Sequence, residues 1–238
     1  MNPHIVIFSP VMPVWDKGAF CSPLTKLFLE KEFHVTLIDT LSLFSGSSAA
    51  IEVLPIITEK LKDRFQGPLL LVGFSMAGTL VQILAARLPD IQAVLAVNAP
   101  GYPDAFLQQR IKYLLSLLED GDLSKALETL NILIQPLGEI KKRVRAKIPS
   151  KKKNMAIERM QRGFRLLLDM DARSEIVKYG GKFLALVGEK SQFATVNNQT
   201  QSYRLNHEYK IISSAGTRLW DDNPSMTYAI VNEWIDKL

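Results

Sequence analysis

Three features of the 238-residue sequence predict an α/β fold built on a mainly parallel six-stranded sheet with a helical cap inserted after the fourth strand. Short apolar runs alternate with amphipathic helical stretches, a pattern that gives parallel strands covered on both faces. One long stretch, from Asp104 to Tyr179, holds only helical periodicity. A Gly-x-Ser-x-Ala turn sits where the third strand meets its helix.

The first strand is His4 to Phe8, a β-branched run ending at Ser9-Pro10. Ser22-Pro23 opens a helix reaching about Lys31, read as a hydroxyl cap followed by proline in the first turn. His34 to Ile38 is the second strand and Ile51 to Phe65 an amphipathic helix. Leu69 to Phe74, apolar throughout, reads as a strand buried on both faces. A helix from Met76 to Leu88 and a strand from Ala93 to Val97 follow.

The helical block comes next, with about four helices expected. Alternation then resumes with strand Phe183 to Val187, helix Phe193 to Leu205, strand Tyr209 to Ser213 and terminal helix Pro224 to Leu238. The expected division is therefore a core of residues 1–101 and 181–238 around a helical cap of residues 102–180. Parallel strands place all their C-terminal ends on one edge, where ligands bind, and the cap is expected above that edge.

Composition excludes several classes. The one cysteine, Cys21, rules out an internal disulfide and a multi-cysteine metal site; no metal or cofactor is expected. No apolar run approaches the roughly 18 residues that span a bilayer, and the first residues lack an export pattern, so the expectation is a cytoplasmic protein. The net charge of +5 is unevenly spread. Tyr102 to Lys182 carries 17 basic and 10 acidic residues, more than the whole excess.

The chemistry centres on Gly73-Phe74-Ser75-Met76-Ala77-Gly78. Turning from strand to helix in so few residues forces the serine into a strained conformation and demands small residues two positions either side. Ser75 then stands at a helix N-terminus, where the Met76 N–H can hold an oxyanion. A plain tight turn capped by serine would show the same spacing. Val11, after the first strand, supplies the candidate second N–H, although Pro10 removes one donor.

With this elbow, an opening strand leading to a loop, and a helical block before two last strands, the chain resembles the α/β-hydrolase superfamily. The stretch Asp169-Met-Asp171-Ala-Arg173 through Gly181 to Lys190 is similar to the corresponding part of carrier-protein-linked methyl ester esterases. The resemblance implies a serine nucleophile at Ser75, an acid after the strand that follows the cap, and a histidine after the last strand.

At both supporting positions the sequence departs from that pattern. The acid loop reads Gly188-Glu189-Lys190-Ser191, so Ser191 stands where the acid is implied, and Glu189 lies two residues early. The last strand is followed by Ala215-Gly216-Thr217, so Thr217 stands where the histidine is implied. Threonine cannot take a proton near neutrality. The three histidines, His4, His34 and His207, fall at strand starts, on the edge opposite Ser75. Asp39, Asp104, Asp221 and Asp222 fall nearer the proper edge, but a carboxylate alone is a weak base for serine.

Two functional expectations follow. One is a protein that binds an acyl or ester ligand, or a partner, with little or no hydrolysis, since loss of triad members costs up to about a million-fold in turnover. The other is a serine esterase or thioesterase with a non-standard base. A basic run, Lys141, Lys142, Arg143, Arg145, Lys147, Lys151, Lys152 and Lys153, reads as a solvated face, as a docking patch for an acidic acyl carrier protein, or as a contact for anionic lipid headgroups. Nucleic acid is disfavoured because no aromatics interleave with it. Leu114, Leu115, Leu117, Leu118, Leu130, Leu133 and Leu166 to Leu168 occur at helical spacing, as core or as the lining of an acyl pocket.

Overall fold

The structure is a computed structural model that describes residues 3–139 and 148–238. Six strands pair in parallel in the order β2-β1-β3-β4-β5-β6. They are β1 His4–Phe8, β2 Val35–Ile38, β3 Leu69–Phe74, β4 Ile91–Val97, β5 Lys182–Gly188 and β6 His207–Ile212. All six C-terminal ends therefore share one edge. Strand order reverses around β1, with β2 on one side and β3 on the other, which opens a crevice beyond their ends.

Alternation along the strands divides the core in two. Val6, Phe8, Leu69, Leu71, Val94 and Ala96 face one way, against α2 (Ala50–Arg64) and α3 (Met76–Leu84). Ile5, Ile7, Leu70, Val72, Leu95 and Leu186 face the other, against α1 (Ser22–Glu30) and α9 (Pro224–Ile235). Residues buried on both faces explain why β3 reads as an unbroken apolar run.

Among the described residues, four α-helices lie between β4 and β5: α4 Ala105–Glu119, α5 Leu123–Leu133, α6 Lys153–Asp169 and the short α7 Arg173–Ile176. Their apolar faces continue the first cluster through Leu107, Leu114, Leu118, Met160 and Leu167. Polar contacts fix α6 to the C-terminal edge of the sheet. Arg159 pairs with Asp39 at 2.7 Å, Arg162 donates to the Leu41 carbonyl at 3.2 Å, and Asp169 accepts from the Ala50 N–H at 2.6 Å. Gly163 gives the close approach, since a Cβ there would stand 2.7 Å from Val11 Cγ2.

Three expectations need correction. Phe193 to Leu205 is not an α-helix; it holds one short turn, Val196–Asn198, in otherwise irregular chain. Its amides and hydroxyls bind elsewhere, which breaks helical bonding. Asn198 accepts from the Thr195 N–H and donates to the Phe193 carbonyl, Gln199 reaches the Ala99 carbonyl, and Thr200 donates to the buried Gln82. At α1 the cap position is Cys21, without a side-chain bond, and the Ser22 hydroxyl donates to the Ala19 carbonyl instead. The helix expected to reach Leu88 ends at Leu84, after which Ala85 to Leu88 form turns. One further short helix, α8 Leu219–Asp222, lies before α9.

Candidate functional site

One residue separates β3 from α3. Ser75 makes that turn at φ 52°, ψ −120°, a region that costs a non-glycine residue roughly 1–3 kcal/mol. Its neighbours leave no room for relaxation. A Cβ on Gly73 would lie 2.2 Å from the Ala77 carbonyl oxygen, and one on Gly78 2.2 Å from Ala99 Cβ. The Ser75 N–H donates to the Val97 carbonyl at 3.0 Å and its carbonyl accepts from the Gly78 N–H at 2.9 Å. Met76 opens α3, so its N–H has no carbonyl partner within the helix.

Ser75 lines a cavity of about 1280 Å³ at the C-terminal edge of the sheet. Val11 and Met12, from the loop after β1, form part of the wall beside it. Leu123, Leu127, Leu130 and Ile134, together with Phe164 and Leu167 of α6, supply an aliphatic side. On another side Trp15, Phe20, Phe74 and Trp220 form a row, with successive ring centroids 6.1, 5.0 and 6.1 Å apart. The charged residues along the cavity include Asp16, Asp122, Lys153, Arg218 and Asp221, all exposed. Of the leucines marked in the sequence, Leu130 and Leu167 line the cavity, while Leu114, Leu115, Leu118 and Leu166 are core.

The two positions implied for acid and histidine have different surroundings. Ser191 is buried, and its hydroxyl accepts from the Asn98 amide at 3.0 Å. Asn98 is itself buried and held at φ 43°, with its side-chain oxygen accepting from the Gly188 N–H. Thr217 lines the cavity. Its N–H donates to the Ile134 carbonyl at 3.0 Å, which ties the end of α5 to the loop after β6.

All three imidazoles lie at the other edge. His4 pairs with Leu69 and His207 with Phe183, the first and second residues of their neighbouring strands, and His34 immediately precedes β2. Six residues of β3 separate that edge from Ser75, roughly 16 Å or more at about 3.3 Å per residue. His4 bonds the Thr36 hydroxyl at 2.8 Å and lies edge-on to Phe65. Burial, with His34 and Arg64 nearby, holds it below the ordinary imidazole range. His207 packs between Tyr179 and Phe183, and burial lowers it too.

Four of the acids that follow the strands, Asp39, Asp104, Glu189 and Asp222, are engaged in structure. Asp39 pairs with Arg159; Asp104 caps α4 through the Leu107 N–H at 2.8 Å. Glu189 accepts from the Ser214 N–H at 2.7 Å, and Asp222 from the Gly216 N–H at 2.9 Å. Asp221 lines the cavity. Cys21 also lines it, but burial pushes its thiol up to about 11, which keeps it protonated and a poor nucleophile.

Lys151 and Lys152 occupy a short turn and Lys153 opens α6; all three are exposed. Lys141, Lys142, Arg143, Arg145 and Lys147 lie outside the described residues. Two parts of the site escape sequence reading. The aromatic row draws on three separate segments and has no periodicity. Asn98 follows β4 directly, and its one signal is that asparagine tolerates a positive φ.

No protein-family model matches the chain, and no curated protein sequence does. Solved structures are similar. A bromoperoxidase from Bacillus anthracis superposes with a TM-score of 0.75 at 13% identity, over 99% of this chain and 92% of that one. MGS-M2, an alpha/beta hydrolase enzyme from a deep-sea metagenome library, gives 0.72 at 13% identity, over 99% and 90%. An esterase from Exiguobacterium antarcticum gives 0.67 at 12% identity, over 99% and 92%.

Proposed function

We propose, on the premise that this chain has the α/β-hydrolase fold, that it binds an acyl- or ester-type small molecule over Ser75 and hydrolyses it very slowly or not at all. In this reading residues 102–180 act as a cap over a core of 1–101 and 181–238. The observation that carries it is a separation. Ser75 keeps a strained turn and a large, mostly apolar cavity, while every imidazole sits at the opposite edge of the sheet. Without a base the serine hydroxyl keeps its proton, and binding plus N–H stabilisation from Met76 and Val11 is all that remains.

A fluorophosphonate probe tests the reading. Ser75 should label no faster than the Ser75→Ala variant labels elsewhere, while octanoyl thioesters bind without Ser75-dependent turnover. Rapid labelling at Ser75 would sink it.

A second reading, a serine esterase or thioesterase with an unusual base, is favoured by the intact elbow and by Asp221 on the cavity wall. A thioester would be its best substrate, because a thiolate leaves with little help. Initial rates that vanish in both Ser75→Ala and Asp221→Asn would establish it.

A partner is a separate element of the proposal. Lys151, Lys152 and Lys153 add their charge to the positive end of α6, beside the cavity that Lys153 lines. An acidic acyl carrier protein suits that charge, and a cytoplasmic setting suits such a partner. Binding that is insensitive to salt would remove the electrostatic premise.

A further inference from the structure

β6 closes one side of the sheet, and alternate residues along it have no backbone partner. In the order β2-β1-β3-β4-β5-β6, only β5 lies beside it. The parallel register sets Phe183 against His207 and Gly188 against Ile212. The Phe183 N–H donates to the Asn206 carbonyl, and the Glu189 N–H to the Ile212 carbonyl. Asn206, Glu208, Lys210 and Ile212 therefore face β5, while His207, Tyr209 and Ile211 turn their N–H and C=O groups to the open side. There the His207 N–H returns to the Arg204 carbonyl, and no described residue bonds the backbone of Tyr209 or Ile211. Such a row is a template for another strand. Apolar side chains accompany it. Tyr203 and Leu205, just before β6, are the most exposed large apolar residues among the described ones, and Ile211 within it is 47% exposed.

We propose that a second copy of this chain pairs with this edge, antiparallel, across a twofold axis at Tyr209. A twofold contact needs a self-complementary strand, and the charges of β6 supply one. With Tyr209 opposite Tyr209 of the second copy, Glu208 stands opposite Lys210, and Lys210 opposite Glu208. The two Tyr209 backbones then bond each other, and each Ile211 N–H meets the other copy's His207 carbonyl, which is free to accept. Sliding the copies until Tyr209 meets Ile211 makes as many backbone bonds. That register sets Lys210 against Lys210 in the closer, non-hydrogen-bonded position, where like charges repel. Charge therefore selects the first register. Within one chain Lys210 Nζ lies 3.3 Å from Glu208 Oε2, so both charges project from the same face. Across the axis each gains a second neighbour of opposite sign. The proposal stands apart from the ligand-binding reading and needs no occupant in the cavity.

Sedimentation equilibrium on the full chain at low salt tests it, with circular dichroism to show that each variant is folded. Wild type should associate to a dimer at micromolar concentration. Lys210→Glu and Glu208→Lys should each weaken association at least about tenfold, because the axis counts every like-charge pair twice. The exchange of both, Glu208→Lys with Lys210→Glu, restores opposite charges across the axis and should recover wild-type association. Ile211→Pro removes an outward N–H and leaves the β5 ladder whole, so it should fold and remain monomeric. A monomeric wild type would overturn the proposal and leave the edge to a strand of a different protein. A dimer that neither single reversal weakens would overturn it by placing the contact elsewhere. A charge exchange that fails to restore association, or a folded Ile211→Pro that still dimerises, would overturn it too.

Discussion

The side-chain amide of Asn98 donates to the Ser191 hydroxyl at 3.0 Å, in a pocket where both residues are buried. With the Gly188 N–H bound to the amide oxygen, this is a neutral network at the end of β4 and β5. It occupies the place where the resemblance implies a carboxylate.

Rebuilding the implied residues therefore tests the proposed function directly. Ser191→Asp places a carboxylate against the Asn98 amide, and Thr217→His places an imidazole on the cavity wall. Groups that act as a unit are strongly non-additive. Each single change should leave p-nitrophenyl butyrate hydrolysis at background. The double variant should raise it at least about tenfold, and Ser75→Ala should abolish the gain. A large gain from Thr217→His alone would mean that an orienting carboxylate is already present.

The strained turn makes a stability prediction. Glycine adopts φ 52° without strain but costs about 0.4–1 kcal/mol more in unfolded-state entropy. Relief of roughly 1–3 kcal/mol at Ser75 outweighs that. Ser75→Gly should raise the urea midpoint, by about 1 kcal/mol in stability, whereas Ser75→Ala should leave it close to wild type. Equal midpoints for both would show that the backbone, and not the side chain, sets the local energy.

Much of this architecture is legible in the sequence, for a physical reason. Strands buried on both faces must be apolar at every position, so Leu69 to Phe74 and His4 to Phe8 announce themselves with their limits. The elbow is legible because small residues stand two positions either side of Ser75, at Gly73 and Ala77, where a Cβ on Gly73 would meet the Ala77 carbonyl oxygen at 2.2 Å. The segment from Phe193 to Leu205 misleads because the Thr200 hydroxyl reaches Gln82 and the Gln199 amide reaches Ala99, both distant in sequence. Local composition holds no trace of those partners. The cavity wall is hidden likewise: Trp15, Phe20, Phe74 and Trp220 meet only once the sheet has set their segments side by side.

His207 gives the chain a pH dependence. Burial holds its folded-state value below that of the unfolded chain, so the unfolded state binds the proton first. Its contribution is intact above about pH 6.5 and is lost as pH falls through the folded value. Urea midpoints should therefore fall between pH 7 and pH 5. His207→Gln should flatten that slope, with His4, lowered for the same main cause, supplying a remainder. An unchanged slope in His207→Gln would locate the dependence elsewhere.

The Arg159–Asp39 pair should contribute to seating α6 over the site. Both side chains are largely buried, at 12% and 13% exposure, which places the pair between the negligible surface case and the costly buried one. Asp39→Asn leaves the guanidinium without its counter-charge and should cost about 1–3 kcal/mol, several degrees in Tm. Pairing Asp39→Leu with Arg159→Met removes both charges and should recover most of the loss, because two uncharged side chains incur no such penalty. The binding readout separates stability from positioning. Through Gly163, α6 also packs on Val11, the candidate oxyanion donor. If the pair seats that helix, Asp39→Asn should weaken binding of octanoyl thioesters as well as stability, and the charge-free double variant should restore both together. Restored stability with binding still impaired would instead assign Asp39 a direct part in the site.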